Sequence, residues 1–221
     1  MGFTEEMRKK ANHIWEANFN HPFVQGIGKG TLPQEKFIYY LKQDYVYLID
    51  FSRYFALIAS RASNLTLMTG FAELLHATLK DEMALHRGIC ADCGISAEDL
   101  ELTEPAPDTL NYTSFLIKSA FLGTTGETLA GFLPCAWGYV EIAQRLKERG
   151  LPGEKHYRQW IETYASDEFD GLVIYYRDLI DEYARTAAGD EKRRMQYVFD
   201  TTSRLEYMFW EMAWNKRGWP I

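Results

Sequence analysis

Apolar residues in this chain recur at spacings of three and four along almost its whole length, and alternating β-branched runs are missing. That period belongs to helices with one buried stripe, so the sequence predicts an all-α fold. A first helix is expected over residues 4–19 on Met7, Ala11, Ile14 and Trp15, after which Pro22, Gly26, Gly28 and Gly30 break the pattern. Thr31 and Pro33 then open a long helix to about residue 63. Its stripe runs through Phe37, Leu41, Asp44, Tyr45, Leu48, Phe51 and Phe55. A third helix, residues 65–89, aligns Phe71, Leu75, Leu79, Glu82, Met83 and His86 and is expected to end at Gly88 and a loop holding Cys90 and Cys93.

Ser96 with Asp99 starts a short turn, and Pro105-Ala106-Pro107-Asp108 reads as a loop before a helix over 111–122. Thr124 and Glu127 have the spacing of a capping box for a helix reaching 149, in which Pro134 predicts a kink beside Cys135. Helices over 154–164, 166–187 and 190–216 complete the chain. No internal repeat or long linker interrupts these segments, so residues 1–221 are expected to form a single helical domain.

Hydrophobic residues make up 47% of the chain, enough for a sizeable core, which excludes intrinsic disorder. No apolar run is long enough to span a bilayer, and the first twenty residues are too charged for a signal peptide, so a soluble, cytoplasmic protein is expected. With 31 acidic against 24 basic residues and a net charge of −7, the surface should repel a phosphate backbone, and no direct nucleic-acid contact is expected. Three cysteines cannot form a disulfide framework.

Cys135 shares a helical stripe with Phe132, Tyr139, Ile142 and Leu146, so its thiol should point inward. On spacing alone this is the pattern of an inert buried cysteine. Its company changes the reading. Asp44 and Glu206 each interrupt an apolar stripe, and a buried carboxylate is costly unless hydrogen bonds or a ligand compensate. Two inward carboxylates and one inward thiol on separate helices fit a cysteine nucleophile beside a general acid/base. Glu82 and His86 stand one turn apart, as two metal ligands would, but the Glu-x-x-His repeat of a di-iron bundle is absent, so no metal site and no cofactor are expected. His13 is the position a haem would need, and it reads as a surface histidine. Cys90-x-x-Cys93 lacks the second pair of a zinc site.

The run Gly131-Phe132-Leu133-Pro134-Cys135-Ala136-Trp137-Gly138-Tyr139-Val140-Glu141-Ile142 resembles the signature of the TenA family, the thiaminase II or aminopyrimidine aminohydrolase family. Lys42-Gln43-Asp44-Tyr45-Val46-Tyr47-Leu48, Thr163-Tyr164-Ala165-Ser166 with Phe169, and Ser203-Arg204-Leu205-Glu206-Tyr207-Met208-Phe209-Trp210 resemble its other characteristic segments in the same order. The resemblance implies a fold like haem oxygenase without a haem, a homotetramer, and hydrolysis of 4-amino-5-aminomethyl-2-methylpyrimidine in thiamin salvage, with cleavage of thiamin as a lesser activity. It further implies that Cys135 adds to the pyrimidine while Glu206 moves protons. Asp44 and Tyr112 would hold the ring nitrogens and amino group, Tyr47 and Tyr139 would line the site, and Tyr164 and Phe209 would complete it. The competing readings are a di-iron oxidase of the same fold, a relative of pyrroloquinoline quinone synthase, and a non-catalytic pyrimidine- or thiamin-binding protein in which Cys135 merely packs.

Overall fold

Twelve α-helices and one π-helical turn follow one another with no strand among the described residues. The computed structural model describes residues 2–221, apart from the side chains at positions 81 and 85. The helices are α1 (Phe3–Lys10), α2 (Asn12–Phe19), α3 (Pro22–Lys29), α4 (Gln34–Arg61), α5 (Leu65–Ala77), α6 (Met83–Asp92), α7 (Ala97–Glu101), α8 (Pro107–Leu122), α9 (Thr125–Glu148), α10 (Lys155–Tyr164), α11 (Asp167–Thr186) and α12 (Gly189–Asn215). The π turn, Thr78–Glu82, joins α5 to α6. The all-α expectation holds. No helix among the described residues is long and apolar enough to cross a membrane.

Helix α9 lies at the centre, against α8, α10, α11 and α12. Residues Thr128 to Pro134 are buried without a break, as expected of a helix covered on all sides. Its capping box forms as the sequence predicts: Glu127 N–H donates to Thr124 Oγ1 at 3.2 Å and Thr124 N–H to Glu127 Oε2 at 2.9 Å. The helix runs on through Pro134 to Glu148. Close approach at its start depends on Gly126, where a Cβ would lie 2.5 Å from the Tyr183 ring. At the N-terminus, α1 and α2 are tied to α9 by Arg8–Glu141 at 2.6 Å and Arg145–Glu16 at 2.9 Å.

Several boundaries differ from the sequence reading. Ala11 separates α1 from α2, where one helix was expected. Residues 22–29, expected to break the pattern, are helical. Pro22 occupies the first turn, His21 Nδ1 accepts from Phe23 N–H at 3.1 Å, and the break comes only at Gly30, with φ +68°. Gly28 serves packing, since a Cβ there would meet Leu146 at 2.5 Å. The third predicted helix contains the π turn and continues past Gly88 to Asp92, so Cys90 is a fully buried helical residue rather than part of a loop. Pro107, assigned to a loop, starts α8.

Candidate active site

Helices α4, α8, α9 and α12 converge on a cavity of about 680 Å³, flanked by the α5–α6 wall and the α10–α11 junction. That size is ordinary for a small-molecule pocket. All eight residues proposed from the sequence line it: Asp44, Tyr47, Tyr112, Cys135, Tyr139, Tyr164, Glu206 and Phe209. Helical spacing accounts for much of this convergence. Asp44 and Tyr47, like Glu206 and Phe209, are three apart, and Cys135 and Tyr139 are four apart, so each helix aims a pair at the same space.

Tyr112 Oη donates to Glu206 Oε1 at 2.5 Å. Burial pushes the Glu206 carboxyl up to about 7, against the partial relief of that hydrogen bond. The group therefore changes protonation near neutrality. Cys135 is partly open, on the side facing the cavity, but its thiol lies deep in the molecule. Burial and the neighbouring Glu206 charge raise its pKa well above the ordinary thiol range, while the Tyr47 hydroxyl acts in the opposite sense. The thiol is neutral until a base takes its proton. Tyr47 Oη is buried and has no hydrogen-bond partner of good geometry within the protein, so it is available to Cys135 or to a ligand.

Asp44 faces His86 Nδ1 at 3.4 Å, and His86 Nε2 donates to the Leu41 carbonyl at 2.7 Å. A carbonyl only accepts, so Nε2 carries the hydrogen. Burial lowers the His86 pKa to about 4, which leaves Nδ1 as a bare lone pair at neutral pH. The contact is thus not an ion pair. Asp44 is itself pushed well above the carboxylate range by burial and by Glu82 and Glu206, and its proton resolves the opposition of lone pairs. His86, considered from the sequence as a metal ligand beside Glu82, is committed instead to Leu41 and Asp44. Among the described residues no group of three or more His, Cys, Asp or Glu is placed to hold a metal. His13 is exposed.

Around the carboxyls stands an aromatic frame. Tyr47 meets Tyr112 at 5.1 Å and Phe209 at 5.8 Å between ring centroids, and Tyr139 meets Tyr164 at 4.8 Å. Burial keeps the Tyr47, Tyr112, Tyr139 and Tyr164 hydroxyls protonated.

A model of the TENA/THI-4/PQQC family matches residues 8–216. The chain belongs to this family. It is 48% identical over 222 residues to an aminopyrimidine aminohydrolase of Halalkalibacterium halodurans, covering 99% of this chain and 98% of that relative. Among solved structures, a TenA homologue from P. horikoshii OT3 superposes with a TM-score of 0.91 at 34% identity, covering 97% of this chain and 99% of that one. A domain with a haem oxygenase-like fold from Shewanella denitrificans superposes with a TM-score of 0.76 at 14% identity, covering 96% of this chain and 92% of that one, which places the fold alone.

Within this TenA-type site, sequence reasoning missed the residues that hold the others in place. Gln43 donates to Glu104 O at 3.0 Å and accepts from Ala106 N at 2.9 Å and Thr109 Oγ1 at 2.7 Å, fixing α8 against α4. Trp160 Nε1 donates to Tyr40 Oη at 3.3 Å, which lies 3.5 Å from Tyr139 Oη. Gln43 neighbours Asp44, and Tyr40 sits one turn before it, which is the signal that could have found them.

Proposed function

We propose that this protein is an aminopyrimidine aminohydrolase of thiamin salvage, converting 4-amino-5-aminomethyl-2-methylpyrimidine and water to the hydroxymethyl pyrimidine and ammonia, and cleaving thiamin at the same methylene. One observation carries the reading: a thiol, a carboxyl with a pKa of about 7 and a proton-bearing Asp44 share one aromatic cavity in which no Lys or Arg appears among the described residues. With its proton directed to His86, Asp44 accepts from the exocyclic amino group of an aminopyrimidine through its other oxygen. Tyr112 supplies a further hydroxyl to the ring, and Tyr47, Tyr139, Tyr164 and Phe209 enclose it.

Glu206, as carboxylate, takes the Cys135 proton. The thiolate then forms a C–S bond to the ring carbon doubly bonded to the carbon that bears the methylene. That electron pair shifts to an exocyclic double bond as the C–N bond to the ammonium or thiazolium nitrogen breaks, and Glu206 passes its proton to the released ammonia or, when thiazole leaves, to water. Water adds to the methylene and gives a proton to Glu206, the thiolate leaves, and aromaticity returns. Glu206 returns that proton to Cys135, which regenerates both, and for the aminomethyl substrate the net change is water in and ammonia out.

The high pKa of Cys135 is the one feature that favours a non-catalytic binding protein, because a neutral thiol is a poor nucleophile. Glu206 as base answers it. The di-iron alternative loses support because His86 is already bonded to Leu41. Residues 1–221 act as one unit in this reading, in the cytoplasm and as a homotetramer. Exposed Leu65, Phe121 and Leu122 support self-association, and light scattering should give four times the chain mass. The test of function is ammonia release from the aminopyrimidine by the purified protein. Release supports the hydrolase, and none, with tight pyrimidine binding, supports the binding protein.

A further inference from the structure

The wall formed by α5, the π turn and α6 lines the cavity with Glu73, Thr78, Glu82 and His86 in succession. Glu73 is exposed and marks the mouth, whereas His86 is buried at the Asp44 end. Glu82 stands between them. The π turn widens the helix at this point, and such turns often re-aim side chains at functional sites. Glu82 is the larger of the two carboxylate influences on Asp44, ahead of Glu206, and it also acts on Cys135 and Tyr164. The Thr78 hydroxyl beside it acts in the opposite sense to burial. Burial lifts its carboxyl to about 7, so a cation beside it would be required to hold it fully ionised at neutral pH. The reaction of Cys135 and Glu206 makes no use of this third carboxyl.

We infer that Glu82 is the specificity-determining residue for a positively charged leaving group, binding the ammonium of the aminomethyl substituent, or the thiazolium of thiamin, beside the pyrimidine edge held by Asp44. This rests on the proposed aminopyrimidine reading. The geometry follows from the substrate: the amino group assigned to Asp44 and the methylene that carries the leaving group occupy adjacent ring carbons. A carboxylate neighbouring Asp44 on the mouth side therefore meets that substituent. The hydroxymethyl product carries no charge there, so Glu82 holds substrate more tightly than product, which aids product release.

The experiment compares a charged with a neutral ligand on wild type and Glu82→Gln. KM for 4-amino-5-aminomethyl-2-methylpyrimidine is measured by ammonia release, and Kd for 4-amino-5-hydroxymethyl-2-methylpyrimidine by tryptophan fluorescence. The expected result is KM raised by about tenfold or more with the product Kd changed by less than about twofold, a split that a general loss of structure would not produce. Equal loss for both ligands, or no change for either, overturns the inference. Should the Gln variant not fold, Glu82→Asp is the measuring variant: it keeps the charge at a shorter reach, and a KM increase of about threefold confined to the amine is expected, with an equal effect on both ligands again overturning it. Wild-type turnover is the control. If wild type releases no ammonia the hydrolase reading fails, whereas if it does and the variants show no split, only the role of Glu82 fails.

Discussion

Tyr112 on α8 donates its hydroxyl to Glu206 on α12 at 2.5 Å, across the cavity that also holds Cys135. The hydrogen bond favours the Glu206 carboxylate, and burial opposes it more strongly, so the two leave the group at about 7. A carboxyl poised there suits the proposed role of base and acid in one cycle.

In the proposed reaction Glu206 carries the proton, so replacing it with Gln should lower kcat by about 10²- to 10⁴-fold. Tyr112→Phe removes the donor that holds Glu206 down. The Glu206 pKa should rise and the acidic limb of the kcat/KM profile should move to higher pH. Steady-state rates between pH 5 and 9 check both, and an unmoved limb in Tyr112→Phe would contradict the coupling.

The same carboxyl predicts a pH-dependent stability cost. Its folded pKa of about 7 lies above the ordinary 4.5, so its contribution to stability is fully present below 4.5 and is lost as pH rises through 7. Above pH 7 the folded state is therefore penalised, by at most about 3 kcal/mol for this group. Glu206→Gln should unfold at a higher temperature than wild type at pH 8 and at nearly the same temperature at pH 5. Thermal denaturation at the two pH values is the check, and a larger gain at pH 5 would reverse the assignment.

Much of the site was legible in the sequence because a carboxylate or thiol inside an apolar helical stripe must point inward. Asp44, Cys135 and Glu206 all do. Helix periodicity also fixed the class of fold. What it did not convey was how partners satisfy one another. His86 had the spacing of a metal ligand, yet spacing says nothing of the Leu41 carbonyl that claims its Nε2 from another helix. Gly26 and Gly28 read as breakers because glycine is a poor helix former, but packing against Leu32 and Leu146 outweighs that intrinsic preference in α3. The π turn has no local signature in the residues from Thr78 to Glu82.

His86 should govern substrate affinity through Asp44 rather than bind metal. His86→Leu removes the partner of the Asp44 proton, and KM for the aminopyrimidine should rise by about tenfold with kcat less affected. Elemental analysis of wild type should show less than stoichiometric iron. One iron per chain would contradict the commitment of His86 to Leu41.

Gln43 carries three hydrogen bonds between α4 and the approach to α8, two of them buried. Gln43→Ala leaves the Ala106 N–H and the Thr109 hydroxyl without their acceptor and should cost about 2–3 kcal/mol. Urea unfolding should show a lower midpoint with an unchanged slope. Loss of stability below about 0.5 kcal/mol would mean that water replaces the amide.

The central claim is that Cys135 acts as a nucleophile and not as packing. Ammonia release from 4-amino-5-aminomethyl-2-methylpyrimidine by wild type and Cys135→Ala, with hydroxymethyl pyrimidine binding measured on both, tests it most directly. The account predicts a fall of at least about 10³-fold in turnover with binding largely retained. Turnover by Cys135→Ala near the wild-type rate would contradict it and return Cys135 to the core.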